Sequence, residues 1–495
     1  MQYLESLGHH HEHHLLTLRR PNYPPALLRY KQAGIFIHQQ PGPEATRALV
    51  ADADIVELHY WTTPALMEFL TGVLPPHRRL IWFKILGRHA PQVISPDLLS
   101  AVDAVMVSSE LSLDLPAFRQ VQHGEGLQQV VHGLMEPERL AGISPQPHAG
   151  FVVSYIGTVN ATKMHPSFIS MSAAADIPGV QFVVCGSGDS TAMQAEAAGL
   201  NAAEKFEFRG YVENIKQVLE ISDVFGYPLC EDTWAASEKS LQEAMLAAVP
   251  PVVFPHGGVT SIVRHGETGL VVKSAEEYAR ALEYLYQHPQ ERRRLGRNAR
   301  DFVLRNFDGH QVAERIHSLY QQLMQQPKNE HPPVLAELPM DERYAKFMLP
   351  ANPEFGASLA TDATQAFKAD RILAKASMPM AQGEGGIVHF RNAYPDNAGF
   401  CLWSGLVLAG KGHWEQALNE FRRSSELAPD NWRIAWYLAV AASRVDGQTD
   451  ARQLFSRALQ LAADHALAND QLDQLSQNSD KEGGADGNEP ALFPF

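Results

Sequence analysis

The sequence is poor in cysteine, has no excess of positive charge and contains no long apolar run. Its 495 residues include three cysteines, Cys185, Cys230 and Cys401, whose wide spacing matches no metal-binding motif and favours a reducing compartment. The formal net charge of −15 argues against general nucleic-acid binding, which normally requires a basic face. No uncharged apolar stretch is long enough to cross a bilayer, and no basic-then-apolar signal opens the sequence. We therefore expect a cytoplasmic protein that binds no nucleic acid, with peripheral attachment at the inner membrane face left open.

What the chain does contain is a series of short apolar segments at regular intervals. In the N-terminal part these are "HHLLTL", "ADIVELHYW", "RRLIWFKILG" and "VDAVMVSS". From residue 150 the series restarts with "FVVSYIG", "VQFVVCGSG", "KFEFRG", "VFGYPL" and "PPVVFP", which are separated by predicted helices. Apolar strands that alternate with helices are typical of parallel α/β sheets. Because the chain is too long for one ordinary core, we predict two Rossmann-like α/β domains, at 1–147 and 148–325.

The C-terminal part has a different composition. Residues 326–363 are rich in proline and are predicted to be an irregular linker or wrapping arm. The sequences "YPDN" at 394–397 and "APDN" at 428–431 are 34 residues apart, which is the period of tetratricopeptide helical pairs. This spacing predicts an all-α region of tetratricopeptide-like repeats at 364–475, which would bind a protein partner. The acidic tail at 476–495 has few hydrophobic residues and is predicted to be disordered.

Four loops of the second α/β domain carry residues suited to ligand binding. In open α/β sheets, ligands bind at the carboxyl ends of strands, where loops and helix N-termini meet. Gly157 would allow close approach of the backbone to a ligand, and Lys163 would supply a mobile cation for phosphate. The further candidates in these loops are Gly186, Gly188, Arg209, Gly210 and the helix "SLQEAMLAA".

That helix permits two interpretations. It is predicted to begin between Ser237 and Ser240, so its positive end would suit a diphosphate, and Glu243 would accept hydrogen bonds from ribose hydroxyls. The alternative is structural, because Ser240 and Glu243 have the spacing of a capping box. The residues alone leave these two interpretations open. Gly186 and Gly188 on their own favour ordinary turns, since a single GxG is weak support for phosphate binding.

The order and spacing of these segments resemble the donor domain of the group 1, family-4 glycosyltransferases of the GT-B fold. The resemblance covers about 150–325 and is strongest in "LQEAMLAAVPPVV" and "HGETGLVV". It extends more weakly through "ADIVELHYW", "VDAVMVSS" and "VVHG", which look like the family's acceptor half. The resemblance implies retaining, metal-independent transfer of a sugar from a nucleotide diphosphate sugar to a glycan, lipid or protein acceptor. It implies no bound metal and no cofactor besides this co-substrate.

Matched residue by residue, the resemblance implies four catalytic positions. Lys163 would neutralise the departing diphosphate, and His59, at the end of its strand, would lie near the acceptor and the transferred sugar. Glu238 or Asp232 would meet the donor sugar, and we favour Glu238 because it immediately precedes the helix. For His59 the alternative is an ordinary histidine at a strand end. The implied donor-binding residues are Gly157, Thr158, Arg209, Ser240, Glu243 for the ribose, and Gly257 and Gly258 beside the sugar or its phosphate.

Three features depart from the family pattern. Thr158 stands where the family carries an arginine, five residues before Lys163, and Arg209 is a candidate substitute. The family's pair of glutamates is broken, because Ala235 stands eight residues before Glu243. The segment "MQYLESLGH" already looks like the first helix of the acceptor domain, so we expect that domain to lack its first strand.

Two hypotheses of function follow. The first is a glycosyltransferase with an appended helical-repeat region, which Lys163 and the helix of Glu243 favour. The second is a binding or scaffold protein in which a decayed transferase domain supports the repeats, which Thr158, the broken glutamate pair and the missing strand favour. Stabilisation by nucleotide diphosphates would discriminate between them, because only a competent donor site should bind these ligands. Other GT-B enzymes, such as an epimerase or a phosphorylase, fit the loop pattern less well.

Overall fold

The computed structural model describes residues 11–20, 24–133, 135, 137–160, 163–307, 309–445 and 448–464. The predicted helix at "MQYLESLGH" and the predicted disordered tail at 476–495 lie outside the described residues. The chain divides into two compact units, of which the first comprises Met1–Trp61 and Gly72–Pro333 and the second comprises Thr62–Thr71 and Val334–Phe495. In the part of the chain that the structure describes, no helix is long and apolar enough to cross a membrane.

The N-terminal half of the first unit contains two parallel sheets. Its strands are β1 (His14–Thr17), β2 (Phe36–Gln39), β3 (Ile55–Tyr60), β4 (Arg78–Phe83), β5 (Ala104–Val107) and β6 (Gln128–Val130). β1 pairs with β2, while β3 to β6 form a four-stranded sheet in sequence order. β5 is buried along its whole length and β4 at all but its first residue, as expected for parallel strands that are covered on both faces. The helices of this part of the sequence are α1 (Pro24–Gln32), α2 (Pro43–Asp52), α3 (Pro64–Thr71), α4 (Pro96–Ser100) and α5 (Pro116–Gln120), of which α3 belongs to the second unit.

The other half of the first unit contains a six-stranded parallel sheet. Its strands are β7 (Phe151–Ile156), β8 (Val180–Cys185), β9 (Phe206–Gly210), β10 (Val224–Tyr227), β11 (Pro251–Val253) and β12 (Leu270–Val271). They lie in the order β12-β11-β10-β7-β8-β9, so the direction in which the sheet grows reverses between β7 and β10. Ligands of open α/β sheets bind outside the carboxyl ends of the strands at such a switch point. The loops that follow β7 and β10 are therefore where the fold itself predicts a site.

Helices cover this sheet and bury their apolar faces against it. They are α6 (Phe168–Ala173), α7 (Thr191–Gly199), α8 (Ile215–Leu219), α9 (Lys239–Leu246), α10 (Ala275–Gln287) and α11 (Pro289–Asn306). The next helix, α12 (Gly309–Met324), contacts β3 of the four-stranded sheet instead. Leu241 of α9 and Tyr278 and Leu282 of α10 are fully buried in the same hydrophobic cluster as the strands. Burial of this kind fixes α9 firmly beside β10 and β11, so the start of α9 is a rigid part of the fold.

The second unit is helical throughout its described residues. Besides α3, its helices are α13 (Met340–Met348), α14 (Glu354–Ser358), α15 (Ala363–Leu373), α16 (Met378–Gln382), α17 (Ile387–Ala393), α18 (Ala398–Gly410), α19 (Trp414–Leu427), α20 (Trp432–Val445) and α21 (Gln448–Asp464). α18 and α20 begin 34 residues apart, and so do α19 and α21. A Cβ atom at Gly405 would lie 2.5 Å from the ring of Phe421, so a small residue is required there. The helix spacing equals the predicted period, and the assignment to tetratricopeptide-like repeats stays a prediction.

The predicted fold class is confirmed, since parallel sheets covered by helices precede an all-helical region. The strand predicted in "HHLLTL" exists as β1, and it pairs with β2 apart from the four-stranded sheet. β2 and β6 were not predicted. The expectation that 326–363 is irregular is wrong where α13 and α14 form. The bounds of the five predicted segments and the absence of a first strand remain predictions.

Candidate active site

Helix α9 begins at the switch point with Glu238 as its N-cap residue. The backbone of Glu238 is extended, with φ −78° and ψ 109°, and its carbonyl accepts the amide of Gln242 at 3.1 Å. The capping-box alternative for Ser240 and Glu243 is therefore wrong, because Ser240 already lies inside the helix. The amides of the first turn have no intrahelical acceptor, so this end of α9 carries partial positive charge.

Lys163 and Glu238 form an ion pair at this helix end. The ammonium of Lys163, in the loop after β7, lies 2.6 Å from Oε2 of Glu238. The hydroxyl of Tyr227, the last residue of β10, donates a hydrogen bond to the same oxygen. Ser240 joins this group, with its hydroxyl 3.5 Å from that of Tyr227. The structure thus brings together three of the predicted site residues around one tyrosine.

The pair is only slightly exposed, which affects the pKa of both groups. Burial alone would raise the pKa of Glu238, but the Lys163 charge and the hydrogen bonds from Lys163 and Tyr227 outweigh burial and hold that pKa below its usual value. Burial would lower the pKa of Lys163, but the Glu238 carboxylate outweighs it and raises that pKa. Both groups are therefore ionised at neutral pH.

Glu243 faces a cation that the sequence did not suggest. Its side chain is 5% exposed, and its Oε1 accepts a hydrogen bond from Nη1 of Arg139 at 3.0 Å. Arg139 lies in the short 3₁₀ helix Pro137–Leu140, and its other terminal nitrogen donates to the carbonyl of Glu213 at 3.2 Å. The carboxylate expected to hold a ribose is thus held in place by a guanidinium of the segment that links the two sheets.

The linking segment is also tied to α9 by its backbone. The side-chain amide of Gln242 donates to the carbonyl of Gly133 at 2.8 Å and accepts the amide of Met135 at 3.3 Å. The amide of Gly133 donates to Oγ of Ser237 at 2.6 Å. Since Gln242 is fully buried, these contacts fix the register between α9 and the linking segment.

His59 lies on β3 within a small network of charged groups. Its Nε2 is 2.8 Å from Oε1 of Glu57, and its Nδ1 is 2.9 Å from the ammonium of Lys84. Because an ammonium group can only donate, Nδ1 is the acceptor and Nε2 carries the hydrogen that faces Glu57. Burial would raise the pKa of Glu57, but hydrogen bonds from His59 and Tyr320 outweigh burial and lower it. His59 itself is half exposed, so its ring borders solvent at the end of the strand.

The loop after β4 brings this network next to the start of α9. The amide of Leu86 donates to the carbonyl of Trp234 at 2.9 Å, and the rings of Trp61 and Trp234 meet edge to face at 5.7 Å. Lys84 is close enough to Lys239, the first residue of α9, for the two charges to repel. The four-stranded and six-stranded sheets of the first unit therefore meet through the loops after β4 and β10, at the residues that precede α9.

The glycines of the site serve mainly to bring loops together. A Cβ atom at Gly186 would lie 1.6 Å from the carbonyl oxygen of Gly157, and one at Gly188 would lie 2.0 Å from that of Val159. Gly258 is equally constrained, since a Cβ atom there would lie 1.9 Å from the carbonyl oxygen of Ala236. These contacts support the turn interpretation for Gly186 and Gly188, because the missing side chains face protein backbone.

The remaining predicted residues lie around this centre. Gly257 has a left-handed φ of 64°, and a Cβ atom there would lie 2.8 Å from the carbonyl oxygen of Ala235. The carbonyl of Thr158 accepts a hydrogen bond from Tyr155 at 2.9 Å. Arg209 lies on the edge strand β9, separated from β7 by β8, and makes a bidentate ion pair with Glu207. Asp232 lies in a turn, where burial and this carboxylate raise the pKa of the Cys230 thiol to about 12.

The described residues include no group of three or more histidine, cysteine, aspartate and glutamate side chains that could hold a metal ion. Sequence reasoning missed Arg139, Gln242 and Lys84. Lys84 could have been predicted, because it directly follows a buried strand, where ligand-binding residues are expected. His59 was predicted on the same ground, as the penultimate residue of β3. Arg139 and Gln242 had none, since their contacts depend on how the linking segment meets α9.

Comparison with known proteins agrees with this geometry. Residues 138–302 match the model of the family described as glycosyl transferases group 1. The EpsD protein of Bacillus subtilis, named as a glycosyltransferase, is 26% identical over 219 residues, which are 40% of this chain and 57% of EpsD. The D-rhamnosyltransferase WbpZ of Pseudomonas aeruginosa is 27% identical over 272 residues, 51% of this chain and 69% of WbpZ. The chain thus spans little more than half the length of the first relative.

Solved structures share the fold of the first unit. HepE of Anabaena in complex with UDP has a TM-score of 0.52 and 16% identity, over 65% of this chain and 95% of HepE. Sucrose-phosphate synthase of Thermosynechococcus elongatus has a TM-score of 0.53 and 20% identity, over 66% of this chain and 92% of the synthase. Identities this low establish the two-sheet GT-B fold alone. Residues 138–302 therefore carry the sequence pattern of the group 1 glycosyl transferases, on the GT-B fold.

Proposed function

We propose that this protein is a glycosyltransferase that moves a sugar, with retention and without a metal ion, from a nucleotide diphosphate sugar to a glycan, lipid or protein acceptor. The group 1 family match, the GT-B fold and the names of EpsD and WbpZ support transferase activity. The UDP complex of HepE supports a nucleotide-bearing donor. No cofactor is needed beyond the nucleotide sugar itself.

One observation carries the proposal, which is the position of the Lys163 ammonium beside the N-terminus of α9. A diphosphate placed there would contact both the lysine and the free amides of the first turn. These donors are already in place before the reaction, so they stabilise the negative charge that develops on the leaving group. This is electrostatic catalysis of diphosphate departure.

The other residues have subsidiary roles in the proposal. Glu243 accepts hydrogen bonds from the ribose hydroxyls, and Glu238, rather than Asp232, meets the transferred sugar. His59 lies on the acceptor side, since it belongs to the other sheet. Gly157 and Thr158, in the loop after β7, and Gly257 and Gly258, after β11, border the donor. Arg209 would have to leave Glu207 to reach it.

Thermal stabilisation by a panel of nucleoside diphosphates tests the proposal directly. A ligand at 100 times its dissociation constant stabilises the folded state by about 2.7 kcal/mol, so the bound members of the panel should raise the melting temperature. Lys163→Met should abolish this stabilisation and also turnover of radiolabelled nucleotide sugars, whereas the exposed control Lys273→Met should change neither. Turnover should persist in excess chelator. If Lys163→Met retained normal turnover, the assigned donor site would be wrong.

The second candidate function is a binding protein in which the first unit supports the helical unit. It is favoured by two ion pairs, because Lys163 is already paired with Glu238 and Glu243 with Arg139. Thr158 in place of the family's arginine points the same way. A chain that no nucleoside diphosphate stabilises, and that turns over no donor, would contradict the transferase, and capture of a protein partner by the helical unit would then support this second function.

A further inference from the structure

Lys84 has the position expected of a second cation in the donor site. It follows the last residue of β4, and its ammonium donates to Nδ1 of His59 at 2.9 Å. The same ammonium lies 4.1 Å above the centre of the Trp82 ring. These two contacts orient the charge, and among the described residues no carboxylate forms an ion pair with Lys84. A cation held by an imidazole and an aromatic face keeps its capacity to bind an anion.

The backbone next to Lys84 touches the segment that precedes α9. The hydrogen bond from Leu86 to Trp234 joins the loop after β4 to the loop after β10. Lys239, at the first position of α9, is near enough to Lys84 for the two charges to repel. Two ammonium groups brought together by rigid elements repel each other unless an anion lies between them.

Desolvation among these groups affects Lys84 strongly, although its side chain reaches solvent. Burial and the Lys239 charge lower the pKa of Lys84 to about 8, and the Glu57 carboxylate opposes this shift. A bound phosphate would restore the pKa, because a nearby negative charge favours the ammonium form.

The charge balance of the donor site requires a further cation. Lys163 is compensated by Glu238 at 2.6 Å, and Glu243 by Arg139 at 3.0 Å. A nucleoside diphosphate carries more than one negative charge, which the partial charge of a helix end does not offset alone. The loop position that carries an arginine in the related family holds Thr158.

We propose that Lys84, from the four-stranded sheet, binds the diphosphate of the nucleotide sugar. It would supply a positive charge in place of the arginine that Thr158 replaces. This inference rests on the proposed function and names a further donor-binding residue of that site. Since Lys84 and Lys163 belong to different sheets, one diphosphate held by both would stabilise the closed arrangement of the two halves. Binding of the diphosphate would also draw Lys84 away from His59, so that Nδ1 of His59 could accept a hydrogen bond from the acceptor.

The test compares the affinity of wild type, Lys84→Met and Lys84→Arg for the nucleoside diphosphate that stabilises the wild type most, and for its nucleoside. Lys84→Met should weaken diphosphate binding by about ten- to hundredfold and leave nucleoside binding unchanged, because one charge-assisted contact is lost. Lys84→Arg keeps the charge and should bind within a few fold of wild type. Lys31→Met, an exposed lysine of α1, is the matched control and should behave as wild type.

The pH dependence supplies a second readout. Lys84 titrates among His59 and Glu57 of β3 and Lys239 of α9, and it loses its proton as the pH rises through about 8. Wild-type affinity for the diphosphate should therefore fall between pH 7 and pH 9. Lys84→Arg should show a flatter profile, since arginine remains charged over this range.

The outcomes separate the inference from the proposed function. If the wild type binds no nucleoside diphosphate, the proposed function fails and the inference falls with it. If the wild type binds and Lys84→Met binds equally well, the inference is overturned while the proposed function stands. If Lys84→Met binds the diphosphate as the wild type does and only slows turnover of the radiolabelled nucleotide sugar, Lys84 acts elsewhere in the reaction, which also overturns the inference. An unchanged melting temperature of the free variant establishes that it is folded.

Discussion

The ammonium of Lys163 and the carboxylate of Glu238 lie 2.6 Å apart at the start of α9. Glu238 is the N-cap residue of this helix, and its side chain contacts Lys163 instead of capping the first-turn amides. In the proposed function the carboxylate occupies the position on Lys163 that a diphosphate would take. In the proposed function, donor binding exchanges one anionic partner of Lys163 for another. The ion pair therefore keeps the lysine charged and correctly placed while the site is free, and it competes with the donor for that charge.

Glu238→Gln should reveal this competition. Removal of the carboxylate leaves Lys163 free to bind phosphate, so affinity for a nucleoside diphosphate should rise by roughly three- to tenfold, the value of a partly solvated ion pair of about 1 kcal/mol. Turnover of the nucleotide sugar should fall, because Glu238 is also proposed to meet the sugar. Isothermal titration and a turnover assay measure the two effects. The exposed control Glu196→Gln of α7 should change neither, and weaker diphosphate binding by Glu238→Gln would contradict the competition.

Arg139→Met tests the second ion pair of the site. It removes the guanidinium that faces the almost fully buried Glu243, so the free energy of unfolding should fall by about 1–3 kcal/mol. The double variant Arg139→Met/Glu243→Gln should recover part of this loss, because the carboxylate that needs the cation is then absent. Denaturant unfolding of the wild type, Arg139→Met, Glu243→Gln and the double variant gives the coupling energy. Losses that simply add would show that the pair contributes nothing as a pair.

The strands of the fold were predictable where they are buried on both faces. β7 and β8 are apolar runs with one polar residue each, Ser154 and Gln181, which is close to the pattern of parallel strands under helices. β2 and β6 were missed because their residues are partly exposed and mostly polar, so their sequences lack that run. The helices within the proline-rich segment were missed for a different reason. Pro339 and Pro353 occupy N-cap positions, where proline starts a helix and does not break it.

The site was predictable within one sheet and not across two. Lys163 and Glu238 follow adjacent strands, so the rule for carboxyl ends of parallel strands was sufficient to place them together. The pair of Arg139 and Glu243 spans 104 residues, and it depends on how the linking segment lies on α9. Local patterns in the sequence carry no information about such a contact. Lys84 and His59 are a similar case, since the register of β3 and β4 brings them together.

A buried ion pair in the second unit should be essential for its stability. Asp370 of α15 is fully buried, and it accepts hydrogen bonds from Ser358 at 2.6 Å and Tyr437 at 2.7 Å. Arg433 lies 3.3 Å from the same carboxylate. Asp370→Ala leaves Arg433 buried without this anion and should cost about 3–5 kcal/mol. Hydrogen exchange of peptides from α15 and α20 measures the loss of local stability.

The double variant Asp370→Ala/Arg433→Met is the matched control for this prediction. It removes both charges and should be less destabilised than Asp370→Ala alone, because an apolar pair needs no compensating charge. Equal exchange in the single and double variants would show that packing, rather than the uncompensated charge, causes the loss. The test uses the full chain, so both units remain in their native context.

His77, just before β4, is held in its neutral form by two opposite contacts. Its Nδ1 donates to the carbonyl of Pro75 at 2.7 Å, and its Nε2 accepts a hydrogen bond from Nε of Arg79 at 3.1 Å. A second proton would have to be placed on Nε2, directly against the donor of Arg79. Burial, with the Arg79 charge, lowers the pKa of His77 to about 4, although the Pro75 carbonyl opposes the shift. The folded state therefore binds fewer protons than the unfolded state wherever the unfolded histidine is charged.

This difference predicts acid sensitivity with a definite sign. The stability that neutral His77 contributes is complete above the unfolded pKa of 6.5 and is lost as the pH falls from 6.5 towards about 4, by ~3 kcal/mol at most. His77→Gln, which can also donate and accept, has no such titration, so its free energy of unfolding should fall less over this range than that of wild type. Denaturant unfolding at pH 7.5, 5 and 4 measures the difference, with the exposed His413→Gln as control. A constant gap between wild type and His77→Gln at all three pH values would refute it.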